Sequence, residues 1–116
     1  MPKSINNKFP KPDMSLLNEM SDGDHDFFME IVNLFIDNAP SMLKSIVDSA
    51  NNEDIPALRF ATHKIMSDLF VVGLNDAAAM VGKIEISAAN GIIEKELVIE
   101  AEERINQGIE DLKQLQ

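Results

Sequence analysis

The stretch Asp54-Ile55-Pro56-Ala57-Leu58-Arg59-Phe60-Ala61-Thr62-His63-Lys64-Ile65-Met66-Ser67-Asp68-Leu69-Phe70-Val71-Val72-Gly73 decides the fold. Leu58, Ala61/Thr62, Ile65, Leu69 and Val72 recur at three- and four-residue spacing, which predicts one helix with one buried stripe. Asp54 suits the N-cap, because its carboxylate accepts from the first free backbone amides. Pro56 suits the first turn, where a missing amide hydrogen costs nothing. Gly73 suits the position just past the helix, where the backbone turns left-handed. Working outward, Leu16, Leu17 and Met20 give Ser15–Met20 the pattern of a short amphipathic helix. Ser21-Asp22-Gly23-Asp24 is turn chemistry followed by a start signal. From Asp24 the apolar positions Phe27/Phe28, Ile31/Val32, Leu34/Phe35 and Ile36 recur at helical spacing, and Pro40 is expected to break or kink the run. Met42/Leu43, Ile46/Val47 and Ala50 continue as a fresh helix to Asn51-Asn52. Downstream, Asn75 or Asp76 is expected to cap a helix through Ala77, Met80/Val81, Ile84 and Ala88, which Asn90-Gly91 closes. The last helix is expected from Ile92 or Glu94 to Leu115, with Leu97/Val98, Ala101, Ile105, Ile109, Leu112 and Leu115 as its stripe.

No segment alternates with period two, and the connections are short. Short loops between long amphipathic helices force antiparallel neighbours. The fold class is therefore all-α: an up-and-down antiparallel four-helix bundle with a short extra N-terminal helix. At 116 residues the chain suits one domain. Residues 1–12 read as a separate basic, Pro-containing arm, with Lys3, Lys8 and Lys11, no acid, and Pro2, Pro10 and Pro12. Residues 13–116 form the helical domain. The arm either packs through Ile5 and Phe9 or lies loose.

Composition narrows the function classes. Twenty Asp+Glu against ten Lys+Arg give a net charge of −10, which repels phosphate backbones and argues against a nucleic-acid partner. With no cysteine there is no disulfide, thiolate nucleophile or cysteine–zinc site. No apolar run approaches the roughly 18 residues of a membrane span. The first residues lack the apolar core of a signal peptide, so a cytoplasmic location and no membrane partner are expected. A phosphate-binding loop, a dinucleotide fingerprint and a nucleophile elbow are all missing.

Two histidines remain. Asp22-Gly23-Asp24-His25-Asp26 hints at a metal loop but fails as an EF-hand. Phe27 occupies the place of the turn glycine, and Asn33 that of the bidentate glutamate. It reads instead as a capped helix start, and no metal site is expected. His63 is rotated about 100° off the buried stripe. Its helical neighbours are Arg59, Phe60, Met66, Ser67 and Phe70, an unusual set for a solvated face and equally unusual for a core. Such a face suits docking against another protein. An uncharged imidazole is a good nucleophile toward phosphorus. On helix geometry alone, His63 is either such an acceptor or a histidine with no chemical role.

The run Leu58-Arg59-Phe60-Ala61-Thr62-His63-Lys64-Ile65-Met66-Ser67, closing at Gly73, resembles the signature of histidine phosphotransfer (HPt) domains. That family shows a phosphoacceptor His, an apolar residue two on, Lys three on, Gly four on and Gly ten on. His63, Ile65 and Gly73 match; Met66 stands in the Lys place and Ser67 in the Gly place. Leu34-Phe35-Ile36-Asp37-Asn38-Ala39-Pro40, Asn52-Glu53-Asp54, Lys83-Ile84-Glu85 and Asn90-Gly91 are also similar to the family's helix succession. The resemblance spans roughly residues 13–113.

The resemblance implies a phosphorelay intermediate, a phosphoryl carrier rather than an enzyme. His63 takes a phosphoryl group from an aspartyl phosphate on one response-regulator receiver domain and passes it to another. A hybrid sensor histidine kinase is a further expected partner. The chain needs no cofactor of its own, since Mg²⁺ and the acidic cluster belong to the receiver. Arg59, Lys64, Met66 and Ser67 are expected to neighbour the phosphoryl site, with Arg59, one turn before His63, the better placed cation. Phe60, Met66, Phe70 and Met42 are expected to form the docking face, though Phe70 reads equally as core. Gly73 is expected to be structural, a helix cap. The competing reading is a non-phosphorylated helical adaptor or dimerisation bundle, which would tolerate Met66 and Ser67. A carboxylate–His metal bundle lacks the Glu-x-x-His pairs it needs.

Overall fold

The computed structural model describes residues 8–116. Its five helices are α1 (Ser15–Ser21), α2 (His25–Asn51), α3 (Ile55–Val71), α4 (Asn75–Ala89) and α5 (Lys95–Lys113), and there is no strand among the described residues. Helices α2 to α5 form an up-and-down four-helix bundle, in which α3 packs on α2 and α4, and α5 closes against α4 and α2. The short α1 lies across α2 and α3.

The stripe on α3 is buried as the spacing predicts: Leu58, Ala61, Thr62, Ile65 and Leu69 face the core, and Val72 follows them. Thr62 is fully buried because its hydroxyl donates back to the Leu58 and Arg59 carbonyls, so it takes no unpaired polar group inside. Asp54 caps α3 by accepting from the Ala57 amide (3.1 Å), and Asp24 caps α2 by accepting from the Phe27 amide (3.0 Å). All three connections between bundle helices end in the same left-handed turn. Asp54 N–H donates to Ser49, Leu74 to Leu69 and Ile92 to Ser87, with Glu53, Gly73 and Gly91 at positive φ. A turn this tight reverses the chain within a few residues and enforces antiparallel neighbours.

Four expectations change. Pro40 does not divide the second helical run. Instead, α2 is one 27-residue helix with Pro40 inside it. Pro40 is exposed, while Val32, Phe35, Ile36, Ala39, Leu43 and Ile46 on either side are all buried. Continuous burial of one face outweighs the single hydrogen bond that proline removes, a loss on the order of 3 kcal/mol in a helix interior. Second, neither Asn75 nor Asp76 caps α4; the N-cap is Leu74, without a side-chain bond. Asp76 lies inside the first turn, where its Oδ1 accepts from the Ala77 amide (2.9 Å) and from Arg104 Nε of α5 (2.6 Å). Third, Leu16, Phe27, Leu34 and Leu115 fall on exposed rather than buried positions of their helices. Fourth, α5 begins at Lys95 and ends at Lys113, two residues short of Leu115.

The arm of residues 8–12 packs through Phe9, whose ring lies 5.4 Å from the buried Arg104 guanidinium. Ile5 lies outside the described residues. At its end, the Asp13 amide donates to the Gly73 carbonyl (2.9 Å), and a Cβ placed on Gly73 would stand 1.9 Å from the Asp13 oxygen. Gly73 is thus both the α3 cap and the saddle over which the N-terminal segment crosses. Gly91 shares its conformation (φ +81 against +80) but faces open space. Gly91→Ala is therefore expected to cost about 1 kcal/mol, the conformational penalty alone. Gly73→Ala is expected to cost more than about 2 kcal/mol, because backbone must also move. Urea unfolding of the two variants measures the difference.

Candidate functional site

The site is built on α3, at the middle of a helix packed against both α2 and α4. Burying Leu58, Thr62, Ile65 and Leu69 turns His63 outward, and its side chain is 82% exposed. A rigid, packed helix thus presents a bare imidazole. Among the described residues, the antiparallel α4 supplies the one carboxylate within ion-pair distance of its ring. Glu85 Oε2 stands 3.6 Å from His63 Nδ1, an ion-pair distance that a small rotation would shorten to a hydrogen bond. Glu85 is itself mostly covered, with 23% of its side chain exposed. Of the two ring nitrogens, it is Nδ1 that faces the carboxylate. Sequence reading grouped Glu85 only with a helix pattern; its meeting with His63 depends on the α3–α4 register, which no local spacing reveals.

One turn along, Met66 does not reach outward freely. It is half-buried, packs against the core, and its Sδ and Cε lie within 4 Å of where a Cβ on Gly82 of α4 would be. Gly82 leaves the room that Met66 fills. Ser67 is exposed beside it. Phe60 is 71% exposed and Phe70 47% exposed, so both phenylalanines stand largely clear of the core. Met42 is half-buried on α2 and lines, with Phe60 and Lys64, a cleft of about 380 Å³ between α2 and α3. A second cleft of about 270 Å³ on the same side of α3 is lined by Met20, Leu34 and Val71 among others. Met20 (47% exposed) and Leu34 (49%) add apolar surface that the sequence assigned to the interior.

Charge is distributed unevenly. Lys8, Lys11, Lys44, Lys95, Arg104 and Lys113 each pair with a carboxylate. Among the described residues, Arg59, Lys64 and Lys83 make no ion pair, and Arg59 and Lys64 flank His63 on an acidic protein. Both are exposed. Among the described residues, no group of three or more His, Asp or Glu side chains could hold a metal ion. His25 stacks on Phe28 (6.5 Å between ring centroids) at the start of α2. No helix among the described residues is long and apolar enough to cross a membrane.

What this arrangement offers chemically is one exposed nucleophilic nitrogen on a fixed helix, a carboxylate behind its ring, two free cations beside it, and apolar surface around it. No family model matches the sequence, and no curated protein matches it. Among solved structures, the HPT domain of the Hpt sensor hybrid histidine kinase from Shewanella superposes with a TM-score of 0.78 at 14% sequence identity. The match covers 90% of this chain and 92% of that one. The chain has the fold of a histidine phosphotransfer domain: four antiparallel helices with a short N-terminal helix laid across them.

Proposed function

We propose that this protein, through its residue 13–116 bundle, carries a phosphoryl group on His63 between receiver domains of a phosphorelay. The observation that carries the reading is the exposed His63 at the middle of α3, backed by Glu85. The fold likeness supports a phosphotransfer role in general terms, and the hybrid-kinase origin of the similar structure suits response-regulator or kinase partners.

In this reading the Nε2 lone pair attacks the phosphorus of a receiver's aspartyl phosphate. The N–P bond forms as the acyl P–O bond breaks, and the aspartate leaves as a free carboxylate. The Nδ1 proton stays on the ring, facing Glu85, which stabilises the positive charge the imidazole gains. In the return step the same protonated ring is the leaving group. The chain itself does little covalent chemistry beyond supplying the nitrogen. Its contribution is position and electrostatics, on which phosphoryl transfer chiefly depends. The receiver is proposed to bring the Mg²⁺.

Arg59 and Lys64 are proposed to neutralise the phosphoryl oxygens, with Arg59 the closer in helical register, one turn from His63. Met66 takes the place where the family carries Lys and is turned into the α3–α4 seam, so it adds no charge. Ser67 is small enough to admit an incoming active site. Phe60, Phe70 and Met42 are proposed as docking contacts; Met66 contributes only its half-exposed edge. Methionine and phenylalanine surfaces adapt to more than one partner, as a relay requires.

Incubation with a phosphorylated receiver is expected to leave acid-labile phosphate on the chain, lost in His63→Gln and kept in His25→Gln. No labelling of the wild type would reject the carrier reading in favour of a non-phosphorylated adaptor. Met66→Lys is expected to lengthen the phosphohistidine half-life and Arg59→Ala to shorten it, each by roughly threefold to tenfold, the worth of one charge-assisted contact. Glu85→Gln should slow transfer about fivefold, since a neutral acceptor holds the charged ring about half as strongly. A half-life unchanged in both cation variants would remove Arg59 and position 66 from the account.

A further inference from the structure

We propose that residues 8–14 act as a salt-sensitive latch, which seats α1 and through it one wall of the cleft beside the His63 helix. The strap is held along α5. Lys8 pairs with Glu103 (3.1 Å) and Lys11 with Asp111 (3.2 Å). The Gln107 side chain bonds both backbone groups of Phe9, accepting from its amide (3.3 Å) and donating to its carbonyl (2.9 Å). The Pro10 carbonyl accepts from Arg104 Nη2 (3.1 Å).

The balance of this contact is fine. Seating the strap covers Arg104, leaving it 1% exposed. Arg104 keeps Asp76 as its counter-ion, but its Nη1 is buried with no partner among the described residues. Burying a guanidinium with one nitrogen unsatisfied opposes seating; the Phe9 and Pro10 hydrogen bonds favour it, and the exposed Lys8–Glu103 pair and the Lys11 pair to the mostly covered Asp111 (7% exposed) add attraction that salt weakens. Opposed terms of this kind leave a contact that conditions can tip.

Release would be felt at α1. A helix of seven residues does not hold its shape alone. Only Leu17 and Ser21 of α1 are buried, and its first turn depends on Asp13, which accepts from the Ser15 amide (3.0 Å) while its own amide bonds Gly73. That residue belongs to the strap. From α1, Met20 completes the cleft lined by Ile31, Leu34 and Val71. A seated strap therefore means a seated α1 and a complete cleft.

The test uses the full chain with Lys8→Glu and Lys11→Glu combined, two exposed positions remote from His63. Native-state hydrogen exchange is read at the amides of Asn18 to Asp22, against the buried stretches of α3 and α4. The variant is expected to exchange about threefold to tenfold faster at α1 only. Raising NaCl from about 0.01 M to about 1 M should do the same to the wild type and add nothing to the variant. Unchanged exchange at α1, or equal acceleration in every helix, would overturn the latch. The link to the cleft rests on the phosphotransfer reading. It predicts severalfold weaker receiver binding in the variant, with His63 still phosphorylated at saturating receiver. Loosened α1 with unaltered receiver affinity would overturn that link. Loosened α1 with no phosphorylation of either protein would uphold the latch and reject the phosphotransfer reading instead.

Discussion

Successive residues on an α-helix project about 100° apart, and the α3 core stripe is continuous. Once Leu58, Thr62, Ile65 and Leu69 are buried, His63 has nowhere to point except outward. That constraint fixes the rest of the arrangement. The tight left-handed turn at Gly73 sends α4 back along α3, and the resulting register sets Glu85 behind the imidazole and Gly82 opposite Met66. The core thus holds the site in place while the imidazole itself stays outside it. For group transfer between two proteins, that division matters. The reacting nitrogen must be accessible, and its orientation must not be renegotiated at each encounter.

Electrostatics divides along similar lines. The protein carries a formal charge of −10, and most of its cations are occupied by nearby carboxylates. Among the described residues Arg59 and Lys64 are not, and they flank His63 in sequence. Elsewhere cations serve structure. Arg104 is buried between Asp76, the Pro10 carbonyl and the Phe9 ring, and there it joins the N-terminal segment to α4 and α5. On so acidic a protein, Arg59 and Lys64 make the surface around His63 more favourable to an approaching anion, and salt weakens that preference.

The helical periods, the caps at Asp24 and Asp54 and the outward rotation of His63 were all legible in the sequence, because each is set within a turn or two of the residue concerned. Pro40 misled because its local rule competes with a longer-range one: six buried side chains on both sides hold α2 together. Asp76 had the form of an N-cap; its carboxylate does accept a first-turn amide, but it is shared with Arg104, 28 residues away, and the cap position itself falls to Leu74. Gly73 was legible as a cap, while its close passage under Asp13 was not. Glu85 and Gly82 carry no distinguishing local pattern; only helix-to-helix register gives them meaning. Leu34 and Met20 look like core in a periodicity plot and turn out to edge a cleft. The general shape of the site was therefore written in one helix, and its second wall in packing.

The central claim concerns a single nitrogen atom. Phosphorus-31 and nitrogen-15 NMR of the intact protein, after incubation with a phosphorylated receiver domain, tests it most directly. The account predicts one phosphoramidate signal, assigned to Nε2 of His63, with Nδ1 still protonated and His25 unchanged. Phosphate on His25, on Nδ1 of His63 or on a serine such as Ser67, or an unmodified protein beside a competent receiver, would contradict it.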